Sequence, residues 1–181
     1  MICEDQILYL DNHLLVLDKP GGIPTQPPPD GAPGISLEEQ GKDYLKKKFN
    51  KPGNVFLQAV HRIDKAVSGV VIFARTSKAL SRMGEQMRAG QISKIYLALV
   101  EGKATGQGIK LEDWLLHCER RARICTQMTK DAKLSQLVYD VMQQTGNFSL
   151  LKIHLLVCMT EAIFLPMMNI FRFLIILNLK V

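Results

Sequence analysis

The spacing of apolar positions changes several times along this chain, and each change marks an element. Near the start, Ile7-Leu8-Tyr9 and His13-Leu14-Leu15-Val16-Leu17 flank Asp11-Asn12. Two short apolar runs around a turn-forming pair predict a β-hairpin. Asp18-Lys19-Pro20-Gly21-Gly22 closes it, because proline has no N–H to give a ladder and glycine accepts sharp turns. Residues 24–34 are rich in proline and glycine, as in surface loops that border sites. Ser36 with Glu39 three residues on has the form of a capping box. It opens a helix that runs to about Phe49, ahead of Lys51-Pro52-Gly53,.

Leu57 to Val60 reads as a short strand, and Val70-Val71-Ile72-Phe73-Ala74 as a buried one,. Ser77 is expected to cap a second helix, in which Ala79, Leu80, Met83 and Met87 form one apolar face,. Gly90 is its expected stop,. Ile92 to Val100 predicts a strand with Tyr96 in its middle, and Glu101 to Gly108 a turn. Further strands are expected near 110–116, 121–127, 136–143 and 149–156. A strand-rich order with two helices and no βαβ repeat predicts an α+β fold: a mixed, largely antiparallel β-sheet with flanking helices. From Val157 to Val181, Met, Phe, Ile and Leu crowd together, but Glu161, Pro166, Asn169 and Arg172 interrupt them. No stretch approaches the roughly 20 apolar residues of a membrane-spanning helix, so a buried strand or a loosely packed tail is expected.

A chain of 181 residues, 47% hydrophobic and 22% charged, suits one soluble globular domain with room for a small appendage,. It needs no disulfide or metal to fold. The formal net charge of +6 favours a polyanion such as nucleic acid, or an anionic membrane surface,. Cys3, Cys118, Cys125 and Cys158 match no zinc-knuckle or CxxC spacing,. They read as reduced thiols. No signal peptide opens the chain, so the cytoplasm is the expected location.

Candidate chemistry concentrates in His61-Arg62-Ile63-Asp64-Lys65-Ala66-Val67-Ser68-Gly69 and the apolar run that follows. Asp64 lies between two cations, which favours its ionised form. An ionised aspartate can serve as nucleophile or base. The same residues also read as a surface ion-pair cluster, and their chemistry alone leaves both open.

This segment resembles the catalytic motif of the RluA-type pseudouridine synthases, in which His-Arg-Leu-Asp is followed by Thr-Ser-Gly and an apolar strand. Leu17-Asp18-Lys19-Pro20-Gly21-Gly22 is similar to the family's upstream Lys-Pro-x-Gly motif. Lys94-Ile95-Tyr96-Leu97-Ala98-Leu99-Val100-Glu101-Gly102 is similar to its Lys-x-Tyr-x-Ala-x-Val-x-Gly strand. The order and spacing agree over roughly residues 6–156. Ile63 replaces Leu and Val67 replaces Thr.

The resemblance implies a pseudouridine synthase catalytic fold that isomerises uridine in structured RNA, transfer or ribosomal. Asp64 would be the catalytic residue that breaks the N1–C1′ bond, by attack on sugar or base or by removal of a sugar proton. The uracil then rotates and rejoins through carbon, with no metal or organic cofactor. Arg62 would help extrude the target nucleotide. Tyr96 would stack on the flipped base and take the proton from C5. Unstacking a base costs a few kcal/mol, and an aromatic face returns roughly 1–3 kcal/mol. Lys19-Pro20 is assigned a structural role and His61 a partly buried one. Glu119 to Arg123, with Lys130 and Lys133, reads equally as phosphate contact or as a solvated edge strand,.

The resemblance fails after the strand near 149–156. The family there carries Gly-Arg-Thr-His-Gln-Ile-Arg, whose last arginine pairs with the catalytic aspartate. This chain reads Val157-Cys158-Met159-Thr160-Glu161-Ala162, and Arg172 is the one arginine beyond it. The expectation is a partial catalytic domain over 1–156, incomplete in the manner of a shifted reading frame, and an aberrant hydrophobic tail over 157–181. Low turnover is expected, and the alternative is a catalytically dead RNA-binding remnant. The chain is expected to be a monomer with no membrane partner. Few residues precede the first strand, so target choice is expected to fall to the catalytic domain.

Overall fold

The computed structural model describes residues 2–28, 36–118, 121–157 and 175–180. The chain forms two compact units, Met1–Gln91 and Ile92–Val181.

In the first unit, β1 (Ile7–Leu10) and β2 (Leu14–Lys19) form the expected antiparallel hairpin. The Asp11 carboxylate makes the turn by accepting the His13 and Leu14 amides at 2.7 and 2.6 Å. Leu15, Leu17 and Lys19 are the inward positions of β2, all at 0% exposure. The short β3 (Gln58–Ala59) and β2 both pair antiparallel with β4 (Ser68–Ala74). The β2–β4 register runs from Leu14↔Ala74 to Lys19↔Gly69.

Helix α1 (Leu37–Lys48) begins with the predicted capping box: the Ser36 hydroxyl accepts the Glu39 amide while the Glu39 carboxylate accepts the Ser36 amide. Leu37, Gly41 and Leu45 recur every four residues and bury one stripe,. Gly41 is needed there, because a Cβ would come within 2.6 Å of Leu57 Cδ2. Buried Glu38 accepts from Lys42 Nζ, Gln26 Nε2 and the Ala59 amide, joining the helix to the 24–28 loop and β3. Helix α2 (Ser77–Arg88) is capped by Thr76 rather than Ser77. Thr76 keeps an extended backbone and its hydroxyl accepts the Ala79 amide at 3.1 Å, whereas Ser77 is already helical. The predicted apolar face is its inner one, and Gly90 ends it at φ +67°.

The second unit is an antiparallel sheet of β5 (Ser93–Glu101), β6 (Ile109–Cys118), β7 (Arg121–Cys125), β8 (Lys133–Thr145), β9 (Phe148–Val157) and β10 (Ile175–Lys180). Strand β9 pairs with β5 and β8, β6 with β8 and β7, and β10 with the other edge of β5. Strand β8 is longer than its apolar pattern predicts, because Lys133 to Gln136 also pair with β6. Tyr96, Ala98, Val100, Leu137, Leu151 and Ile153, at 0 or 1% exposure, form its core. Part of the apolar C-terminal segment is strand β10, and residues 158–174 lie outside the described residues. No described helix is long and apolar enough to cross a membrane. All described pairings within the two units are antiparallel, and the class is α+β as expected.

Candidate active site

Residues 60–67 carry the chain from β3 to β4, and Arg62 and Asp64 stand on this connection. Exposure alternates along its first residues. His61 and Ile63 turn inward, at 9% and 3% exposure, and Arg62 and Asp64 turn outward and are exposed. The His61 Nε2 accepts the Ile72 amide at 3.3 Å and so fastens the inward side to β4.

The backbone on both sides of Asp64 is held from a different part of the chain. Before it, the buried Thr25 hydroxyl donates to the Ile63 carbonyl at 2.8 Å and accepts the Ile63 amide at 3.3 Å. After it, the Lys65 carbonyl accepts from the Gly22 amide at 2.7 Å and from Lys19 Nζ at 3.2 Å. The Val67 amide donates to the Asp64 carbonyl at 3.0 Å and closes the turn. Gly21 approaches so closely that a Cβ would lie 3.1 Å from the Ala66 carbonyl oxygen.

Lys19 sits at the centre of this arrangement. Its ammonium also donates to the Pro20 and Ile23 carbonyls at 3.1 and 2.7 Å. Burial lowers its pKa to about 8, against an opposing pull from the Asp64 carboxylate. Lys19-Pro20 is therefore more than a strand terminator: the lysine ties the strand end to the loop and gives Asp64 a positive neighbour. The period-two pattern Leu15, Leu17, Lys19 was the signal that its side chain points inward. Thr25 had no signal, since it lies within the Pro/Gly-rich loop and meets Ile63 only through tertiary structure.

Arg62 and Asp64 thus share one connection of the first unit. Tyr96 belongs to the second unit, in the middle of β5, opposite Ile153 of β9 and Leu177 of β10. It is 1% exposed. Of the basic stretch, Arg121–Cys125 is strand β7, paired among the described residues with β6 alone, with Arg123, Lys130 and Lys133 exposed. Glu119 and Arg120 lie outside the described residues. No group of three His, Cys, Asp or Glu side chains able to hold a metal ion occurs among the described residues.

A sequence model of RNA pseudouridylate synthases matches residues 13–158, which span both units and the whole Asp64 connection. The chain belongs to the RNA pseudouridylate synthase family. Among its relatives, the ribosomal large subunit pseudouridine synthase C of Buchnera aphidicola from Acyrthosiphon pisum is 33% identical over 150 residues, 82% of this chain and 45% of that protein. The protein of the same name from Escherichia coli K12 is 40% identical over 100 residues, covering 55% of this chain and 28% of its own length. The chain spans less than half the length of these curated relatives. In solved structures the fold is shared by human RNA pseudouridylate synthase domain containing 1, with TM-score 0.73 at 16% identity over 97% of this chain and 78% of that one. Human RNA pseudouridylate synthase domain containing 4 matches at TM-score 0.71 and 17% identity, over 87% of this chain and 61% of that one.

Proposed function

We propose that this chain binds RNA and isomerises uridine to pseudouridine at Asp64, with large-subunit ribosomal RNA as substrate. The observation that carries the reading is the exposed Asp64 carboxylate on a connection fastened on both sides, beside the exposed Arg62. A base within a helix hides C1′, so the target must leave the stack. Arg62 takes the space it leaves, as a planar cation able to meet phosphate or bases. At Asp64 the N1–C1′ bond breaks and a C5–C1′ bond forms. The C5 proton departs and N1 gains one, so the reaction is an isomerisation. Tyr96 is assigned the base-stacking and proton-accepting role, and at 1% exposure it can act only after what covers it moves. The chain works as a monomer in the cytoplasm, with residues 1–156 as its catalytic part.

A second reading rests on Val157 to Ala162, which stand where the family's arginine motif is expected. Without that arginine a loosely held carboxylate loses much of its effect, and the chain remains an RNA binder with little turnover. Tritium release from RNA carrying [5-³H]uridine, with filter binding on the same RNA, separates the two. Release that disappears in Asp64→Ala supports isomerisation. Tight binding with no release above the Asp64→Ala background leaves the second reading.

A further inference from the structure

We propose that a pocket in the first unit, at the opposite end of the β2–β4 ladder from Asp64, holds a second, unpaired nucleotide of the substrate RNA. This rests on the RNA reading above and adds a site to it. The pocket, of about 480 Å³, is lined by Asp11 and Asn12 of the β1–β2 turn, Tyr44, Lys48 and Phe49 at the end of α1, and Arg75 just after β4. Its volume is in the range of small-ligand clefts. The ladder runs five residue steps from Lys19↔Gly69, beside the Asp64 connection, to Leu14↔Ala74, beside the pocket. At about 3.4 Å per residue, that is about 17 Å. A nucleotide seated there is not the one being isomerised.

The chemistry of the walls selects the occupant. The Arg75 guanidinium lies 4.8 Å from the Phe49 ring centroid and donates to the Asp11 carbonyl. Phe49 is nevertheless 45% exposed. Lys48 Nζ lies 5.3 Å from the Tyr44 ring centroid and donates to the Tyr44 hydroxyl at 2.8 Å. Of the two carboxylates of the pocket, Asp11 is engaged by the His13 and Leu14 amides and the Tyr9 hydroxyl, while the Glu4 side chain is 87% exposed, 3.9 Å from Lys48, and can swing into water when Lys48 meets a phosphate. A flat aromatic face backed by a guanidinium suits a nucleobase. A flexible ammonium, with Lys46, Lys47 and Lys51 close in sequence, suits the phosphates on either side,. An acidic peptide would use the lysines but leave the exposed ring without a role.

The test is fluorescence anisotropy of a fluorescein-labelled, unstructured, mixed-sequence RNA decanucleotide with the full chain. Phe49→Ala should raise Kd about five- to 150-fold, the worth of one stacked base, and Phe49→Trp should restore it. Lys48→Gln should flatten the slope of log Kd against log salt by about one. Equal binding by wild type, Phe49→Ala and Lys48→Gln would overturn the pocket and leave the RNA reading standing. No binding by wild type would also overturn the pocket, and the tritium-release assay on structured RNA then decides the RNA reading separately. Polyglutamate that displaces the RNA, with the same dependence on Phe49, would assign the site to acidic peptides and also overturn the proposal.

Discussion

The two hydrogen bonds between Thr25 and Ile63 permit a demanding test of how Asp64 is held. Valine has nearly the shape of threonine, so Thr25→Val removes the hydroxyl and keeps the packing. The lost bonds are 2.8 and 3.3 Å long, both buried, and they serve the carbonyl and the amide of one residue. Each stranded buried group costs about 1–3 kcal/mol. The two together should destabilise the first unit by about 2–4 kcal/mol, allowing for some relaxation of the loop. Thr25→Ser keeps the hydroxyl and loses one methyl group, about 1 kcal/mol. Urea unfolding followed by circular dichroism gives the totals, and exchange of the Ile63 amide with deuterium reads the local effect. Thr25→Val should accelerate that exchange strongly and Thr25→Ser only slightly. The displaced backbone should also lower Asp64-dependent tritium release more than RNA binding. A cost below about 0.5 kcal/mol for Thr25→Val, the level of an ordinary surface change, would refute the reasoning. So would a Thr25→Ser cost equal to that of Thr25→Val.

Lys19 sets a pH dependence. Its pKa is lowered to about 8 in the folded chain from an ordinary 10.5, so between these values the unfolded chain holds a proton that the folded chain lacks. The penalty of the buried charge is therefore present in full below about pH 8, and its relief raises stability from about pH 8 to 10.5. The total is on the order of 3 kcal/mol before allowance for water at the ammonium, and less after it. Stability of wild type relative to Lys19→Met, measured by urea unfolding from pH 7 to 10, should rise over that window, and a flat difference would contradict the account. Gly41→Ala should lower Tm: the helix gains about 1 kcal/mol from alanine, but the new methyl meets Leu57 Cδ2 at 2.6 Å, and such overpacking costs about 1–3 kcal/mol. Leu57→Ala should cost less in the Gly41→Ala background than in wild type, a non-zero coupling in the double-mutant cycle.

Much of this architecture was legible because its determinants are local. The capping box at Ser36 and Glu39, the Asp11-Asn12 turn and the inner face of α2 are each set by residues within one or two turns of chain. The choice between Thr76 and Ser77 as cap was not legible, since both carry a hydroxyl and only the backbone geometry separates them. Arg62 and Asp64 were found through an ordered set of motifs, and their neighbours His61 and Ile63, imidazole and apolar, are the residues turned inward. The roles of Lys19 and Thr25 depend on contacts 46 and 38 residues apart in sequence, and no local pattern encodes such contacts. The burial of Tyr96 was half legible. The alternation Tyr96, Ala98, Val100 marks an inner face, but the depth of that face is set by the strands beside it.

The alternation through His61, Arg62, Ile63 and Asp64 also constrains how this segment can change in length. Substitutions that respect inside and outside leave the carboxylate where it is. A single inserted or deleted residue between Ala59 and Ile63 would move Asp64 out of step with the Thr25 and Lys19 bonds that flank it. Thr25 and Lys19 anchor the connection from outside it, so the slip could not be absorbed further along the loop. Sequence drift here is therefore more constrained in length than on an unanchored surface loop, because the carboxylate is placed by bonds that reach its connection from Thr25 and Lys19.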